Sequence, residues 1–294
     1  MRKKITAKTK KWLPLLFLGA FFLLFSVKIS YFPKAEEGGS VVMQKTRVEN
    51  PYGWEKMSAY TTYFNQNEGG RCENIAIAAA LIDGVTIQPY GEFSFNATVG
   101  RRTEESGFQQ AKIIVGGEYV VGVGGGVCQV STTLYNAALK SGLQIVEFHP
   151  HSLQVGYVDP SRDAMVSSQS DLKIFNPHVH AVYLSARVTK GAIQIVFYGK
   201  ALAQRYELVS KTLEKILPPT PIVKEGEEEE VLRAEKQGVK SELYLERYVG
   251  DKLVARNRLR TDEYRPIQGI IVKKVGHTLK KSLSNDCLFV EKML

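Results

Sequence analysis

Three glycines run straight into a cysteine at Gly124-Gly125-Gly126-Val127-Cys128, and a periodic stretch containing Leu134, Ala137 and Ala138 follows, stopped by Gly142. The spacing predicts a helix that opens at the cysteine. A thiol in that position meets unpaired backbone N–H groups and the positive end of the helix dipole, and both favour the thiolate. Glycines ahead of it allow close backbone approach to a ligand and can aim N–H groups at an anion. Cys128 as nucleophile, with Gly124, Gly125 and Gly126 as oxyanion donors, is the equipment of acyl transfer. The same residues also have a structural reading, because cysteine is among the most buried residue types and a glycine-rich turn often does no more than turn the chain.

Acyl transfer needs a group that takes up the thiol proton and hands it to the leaving amine. His151, in Phe148-His149-Pro150-His151-Ser152, is the first candidate, since histidine titrates near neutrality and serves as both acid and base. His149 lies two residues away and faces the same side in an extended segment, a geometry that Pro150 suits. Asp163 or Asp171 could orient the imidazole as the third member of a triad; either could equally cap a turn. Arg101 or Arg102 could hold a substrate carboxylate through two parallel hydrogen bonds, or be surface charge. Gln129, Ser131 and Thr132 stand on the first helical turn as candidate substrate contacts, although Ser131, Thr132 and Thr133 can instead bond that turn's own backbone.

The two histidines and an aspartate could also ligate zinc with one position open. No longer ligand pattern such as HExxH accompanies them, so no metal is expected. The glycine run lacks the Lys-Ser/Thr of a phosphate-binding loop and the setting of a dinucleotide fold, so no cofactor is expected either.

The elements that must position these residues read as α+β, early helices on a mainly antiparallel sheet. A helix is predicted over 71–83 from Ile75, Ala76, Ala79, Ala80 and Leu81, with Gly84 as its stop. Residues 60–64 read as a short strand. Residues 85–96 read as a strand and turn with Phe93 and Phe95 on one face, and 107–111 as a short turn or helix. Residues 113–121 read as a hairpin turning at Gly116-Gly117. Strands are predicted over 144–148, 154–158, 164–167, 172–175, 181–188 and 192–198. Three prolines, Pro218, Pro219 and Pro221, precede the acid run 225–230, which reads as solvated. A boundary is therefore placed near 200–225. A small all-β module follows, with strands over 240–247, 252–259 and 270–275.

The chain has 294 residues and a net charge of +9. Six of its cations, Arg2, Lys3, Lys4, Lys8, Lys10 and Lys11, crowd the start. The remainder is too dispersed for a nucleic-acid footprint. An apolar run over 12–27 follows, extended by Ile29, Tyr31 and Phe32. This pattern predicts an exported protein held by an uncleaved N-terminal membrane anchor, with everything from about residue 33 outside the cell; a cleaved signal peptide is the alternative. Three cysteines, Cys72, Cys128 and Cys287, leave at least one thiol unpaired in the monomer. A Cys72–Cys128 bond is conceivable and would silence Cys128. The expected organisation is an anchor over 1–33, a linker and first strand over 34–70, a main domain over 71–200, the β-module over 201–276 and a tail over 277–294. No feature sets an oligomeric state.

Several separated blocks carry a family likeness: Arg71 with Asn74-Ile75, Gly91 to Asn96, Val99 to Thr103, Gly107-Phe108 with Ala111, Gly124 to Leu139, His151-Ser152, Asp163-Ala164, and Asp171-Leu172 through Asn176. Residues 71–199 resemble the VanW-like domain of exported Gram-positive proteins, named from glycopeptide-resistance clusters. Residues 206–276 resemble a G5 domain, a module of cell-surface proteins, through the hairpin pattern, Arg265-Pro266 and Val275-Gly276. The resemblance implies a cysteine L,D-transpeptidase forming 3-3 cross-links between peptidoglycan stem peptides, with Cys128 at the nucleophile's position and His151 in a matching block. The alternative is a non-catalytic wall-binding or scaffold protein linked to glycopeptide resistance.

Overall fold

The computed structural model describes residues 53–274. The expected anchor, Cys287 and the tail lie outside the described residues. By their contacts all described residues belong to one compact unit. Among them no helix is long and apolar enough to cross a membrane.

In chain order the elements are β1 (Glu55–Tyr63), α1 (Gly69–Ile82), β2 (Thr86–Ile87), β3 (Glu92–Ser94), α2 (Phe95–Val99), a 3₁₀ turn at Glu104–Ser106, β4 (Gln110–Val115), β5 (Glu118–Val123), α3 (Val127–Lys140), β6 (Gln144–Glu147), β7 (Lys173–Phe175), β8 (Val182–Thr189) and β9 (Ala192–Gly199). The C-terminal part holds β10 (Arg205–Ile216), β11 (Ile222–Gly226), β12 (Glu230–Arg233), β13 (Gly238–Val249), β14 (Lys252–Tyr264) and β15 (Ile270–Lys274). The described chain is mostly strand with few helices. It forms not one principal sheet but several small ones, ordered β1-β9-β8-β2, β3-β7-β6, β4-β5, β10-β13-β14 and β11-β15-β12. Pairing is antiparallel except for β11 with β15.

The hub is α3. It packs on β1, β6, β9, β10 and α1, and twelve of its residues are buried, from Val127 to Leu139 with Cys128 alone left partly exposed. Its apolar side, Val130, Leu134, Ala137 and Ala138, enters the core beside Ile75, Ile82, Ile195 and Phe197. Each buried aliphatic side chain of this kind contributes about 1.5–3 kcal/mol. Its polar residues are matched one by one: Thr133 bonds Thr62 at 2.7 Å, and Asn136 bonds the Arg162 carbonyl at 2.8 Å. Among the described residues no buried side-chain nitrogen or oxygen lacks a partner, so a helix with so many buried polar groups carries no desolvation penalty left unmet.

Two expected strands are absent. Residues 154–158 and 164–167 belong to one long irregular segment between β6 and β7. Its amides turn to side chains and loop carbonyls rather than to a neighbouring strand: Ala164 N to Thr132 Oγ1, His151 N to Asp163 Oδ2, and Met165 N to the His149 carbonyl. Once satisfied in this way, the backbone has nothing to gain from a ladder. Phe95 opens α2 instead of extending a strand, although both Phe93 and Phe95 are buried. Where the sequence suggests only a boundary, β10 appears, aligned along β13 from Arg205–Tyr248 to Ile216–Gly238.

Candidate active site

The first turn of α3 is built by backbone that only glycine tolerates. Gly124 and Gly126 have φ of +88° and +109°, in the left-handed region where a side chain is strained. Gly125 is buried, and a Cβ there would lie 2.6 Å from the Lys112 carbonyl oxygen. The turn is pinned from α1, whose Asn74 donates to the carbonyls of Gln109 and Gly125, both at 2.9 Å, and accepts from Gln109 N. The Gly124 amide is taken by the Gln109 carbonyl. The amides of Gly125, Gly126 and Cys128 have no hydrogen-bond partner among the described residues. Cys128 thus sits at the positive end of a helix beside free N–H groups, the arrangement that favours an anion.

Opposite the thiol lies the irregular segment. Val166 approaches Cys128 Sγ with both its groups, the carbonyl at 3.3 Å and the amide at 3.5 Å. The carbonyl accepts from a thiol and the amide donates to a thiolate, so both forms of the sulfur have a partner. His151, almost wholly buried, lines the same cleft and lies near enough to the sulfur for the two charges to interact. Its Nδ1 lies 2.6 Å from Asp163 Oδ2, which also accepts from the His151 backbone amide at 2.7 Å. A ring nitrogen committed to a carboxylate leaves the other nitrogen for the sulfur. Cys128, His151 and Asp163 therefore lie in the order that a nucleophile, a base and an orienting acid would take.

The electrostatics agree with an ion pair. Burial pushes the Cys128 thiol up, but the hydrogen bond and charge of His151, then the Val166 amide and Arg102, outweigh it and hold its pKa below the ordinary 9.0. Burial likewise acts against the imidazolium, but Asp163 and Cys128 hold His151 up at about 9. Burial would also raise Asp163, yet His151, Arg260 and Tyr264 keep it below the usual carboxylate range.

These groups open onto a cleft of about 1110 Å³. Arg71, Arg101, Arg102 and Lys112 line it, against Glu68 as an acid. Arg102 bonds Asn96 Oδ1 at 2.7 Å and lies close enough to Cys128 to interact with its charge; Arg101 is exposed at the rim. The hairpin of β4 and β5 forms one wall, contributing Ile113, Val115 and Tyr119.

Of the remaining sequence candidates Gln129 lines the cleft, and the others are placed elsewhere. His149 is partly exposed and bonds Glu147 at 3.0 Å, away from the thiol, because the segment through Pro150 is not a strand with alternating faces. Asp171 caps α2, accepting from Ser94 Oγ and Asn96 N. Gln129 is buried and held by Arg71, Thr62 and Tyr63. Ser131 and Thr132 are fully buried and clamp Ala164, Ser131 on its carbonyl at 2.7 Å and Thr132 on its amide at 3.0 Å. Neither reaches the cleft; both hold the irregular segment against α3. Cys72 and Cys128 are free thiols. Among the described residues no group of three or more His, Cys, Asp and Glu converges as a metal site.

Four residues of the site escaped the sequence reading as functional groups. Arg71 and Tyr157 line the cleft, with the Arg71 guanidinium 6.0 Å from the Tyr157 ring centre. Arg260 and Tyr264 reach Asp163 from β14. Arg71 and Asn74, three apart on one face of α1 just ahead of its apolar run from Ile75, carried a readable signal. Arg260 and Tyr264 lie over a hundred positions from the thiol, and nothing local marks them.

Residues 70–198 match the family model described as "VanW like protein". The uncharacterized protein YoaR of Bacillus subtilis (strain 168) is 39% identical over 168 residues, which cover 57% of this chain and 53% of that one. The chain thus spans about half the length of the curated relative it matches. Two solved structures each align with 24% of this chain: the IgA1 protease G5 domain, at 22% identity and a TM-score of 0.17 over 92% of its own length, and HP0197-G5, at 21% identity and 0.15 over 93%. Cys128, His151 and Asp163 all lie inside the region, residues 70–198, that matches this family model.

Proposed function

We propose that this protein is a cysteine-dependent acyl transferase of the L,D-transpeptidase type, acting on peptidoglycan stem peptides at the cell wall. The observation that carries the reading is the partly exposed Cys128 beside the buried His151–Asp163 pair, on a cleft lined with cations. In the first step the Cys128 thiolate attacks the carbonyl of the third residue of a stem tetrapeptide. The C–S bond forms, and the developing oxyanion is met by the Gly126 and Cys128 amides. The C–N bond to the terminal D-alanine then breaks, and the His151 proton goes to the departing amine. In the second step the side-chain amine of another stem attacks the thioester and gives its proton to His151. The C–S bond breaks and the thiolate returns. Arg102 and Arg101 suit the donor's terminal carboxylate, since guanidinium holds carboxylate in a planar, paired geometry.

The test is a Cys128→Ala variant expressed in a strain lacking other enzymes of this activity. Muropeptide analysis is expected to show 3-3 cross-links with the wild type and a loss of at least about a hundredfold with the variant. Equal cross-linking by both would remove the nucleophile. Wall binding by wild type and variant alike, with no turnover by either, would establish a non-catalytic binding module instead.

A further inference from the structure

Cys128, His151 and Asp163 all lie in the VanW-like region, but the groups behind the Asp163 carboxylate do not. Asp163 is buried, and His151 uses only one of its carboxylate oxygens. The other, Oδ1, accepts from the Tyr264 hydroxyl and lies 3.4 Å from the Arg260 guanidinium, while the Asp163 carbonyl accepts from Arg260 Nη1 at 2.7 Å. Both residues come from β14, beyond the residues of the family match.

Arg260 is itself held on every side. Its Nε bonds Asp262 at 2.6 Å, and its guanidinium lies 4.6 Å from the Phe148 ring centre, next in sequence to the histidine segment. Tyr264 also accepts from Ser161 N at 2.7 Å. The same part of the chain grips the segment at further points, with Lys236 Nζ on the Gln154 carbonyl at 2.9 Å among them. Ser241 bonds Ser161 at 2.6 Å, Ser210 bonds the Pro160 carbonyl at 2.6 Å, and Arg265 N bonds the Ser152 carbonyl at 2.9 Å. The segment carrying His151 and Asp163 has no strand ladder of its own, so these contacts set its course.

We infer that Arg260 and Tyr264 are positioning residues for Cys128, holding the Asp163 carboxylate in the rotamer that orients His151, and that the C-terminal β-part is the rear wall of the active site. Arg260 and Tyr264 touch neither the cleft nor the sulfur and act only through Asp163. The groups facing that carboxylate are His151, Arg260 and Tyr264, with Asp262 behind Arg260. Loss of the Tyr264 donor would free Asp163 to rotate and leave it less stabilised as the anion that supports the imidazolium.

The inference rests on the triad proposed above, and thiol chemistry separates the two without needing a substrate. In the full chain, iodoacetamide labelling against pH, resolved by peptide mass spectrometry, follows Cys128 with Cys72 as the internal reference. Wild-type Cys128 is expected to react at a lower pH than Cys72. Tyr264→Phe, which removes only the hydroxyl, is expected to move the Cys128 midpoint up by about half a unit to one unit and leave Cys72 unchanged. With tetrapeptide muropeptides kcat is expected to fall about tenfold at constant KM. Arg260→Lys keeps the charge without the fork and is expected to shift the midpoint in the same direction; it carries the reading should Tyr264→Phe fail to fold. A low wild-type midpoint that neither variant moves overturns the inference and leaves the triad standing. A wild-type Cys128 that titrates like Cys72 overturns both.

Discussion

At the residue scale the question is what a thiol and an imidazole do when buried against each other. Desolvation works against both charges, so an isolated Cys128 would be a poor nucleophile and an isolated His151 a neutral ring. Paired, each supplies the counter-charge the other lacks, and Asp163 adds a third that holds the proton on the ring. The pH dependence follows. As pH falls through the lowered pKa of Cys128, the thiolate takes up a proton and activity drops. As pH rises through about 9, His151 loses the proton that balances the thiolate and serves the leaving amine, and activity drops again. A bell-shaped kcat/KM profile is expected, with its descending limb near 9 and its ascending limb below the ordinary thiol range. Asp163→Asn should flatten the upper limb and lower kcat by at least about a hundredfold, since the amide supports the wrong ring tautomer. Steady-state rates from pH 5 to 10 check both.

At the scale of elements, the turn into α3 and the irregular segment opposite behave differently. The turn is locally encoded. Glycines take the backbone into conformations closed to other residues, and Gly125 lies against β4. Gly125→Ala would place a Cβ 2.6 Å from the Lys112 carbonyl oxygen and 2.8 Å from Ala111 C, atoms of a strand that cannot swing aside. The expected cost is about 1–3 kcal/mol, read as a lowered urea midpoint at unchanged slope. The nucleophile, the helix and the β4–β5 hairpin were legible for this reason: each rests on signals within a dozen residues. The segment from 150 to 172 was not. Its alternating apolar residues, Leu153, Val155, Ala164 and Val166, look like strands. They are buried instead beside α3 and β14, because Thr132, Asp163 and Cys128 satisfy amides that a ladder would otherwise take. The choice between His149 and His151, and between Asp163 and Asp171, hangs on that irregular path.

For the whole molecule, the C-terminal sheets and the VanW-like region share a buried charge network rather than a linker. Arg260, Asp163 and Asp262 are nearly inaccessible to solvent. Arg260→Ala would leave the Asp262 carboxylate buried without its cation and Asp163 with His151 alone, and the expected loss is about 3–5 kcal/mol. Calorimetry of the wild type is expected to show one transition across both regions, because unfolding either exposes charges of the other. Two well-separated transitions would show that the network contributes little coupling.

The sequence by itself determined the cysteine's place at a helix start, the glycines before it, the hairpins and the VanW-like likeness, all set by short-range spacing. Tertiary structure alone decided which histidine faces the sulfur, which aspartate orients it, and that β14 reaches behind them. The reason is physical. Local sequence dictates backbone conformation through sterics and capping, whereas the partners of a buried charge are whatever the folded chain brings within about 3 Å, over any separation along it.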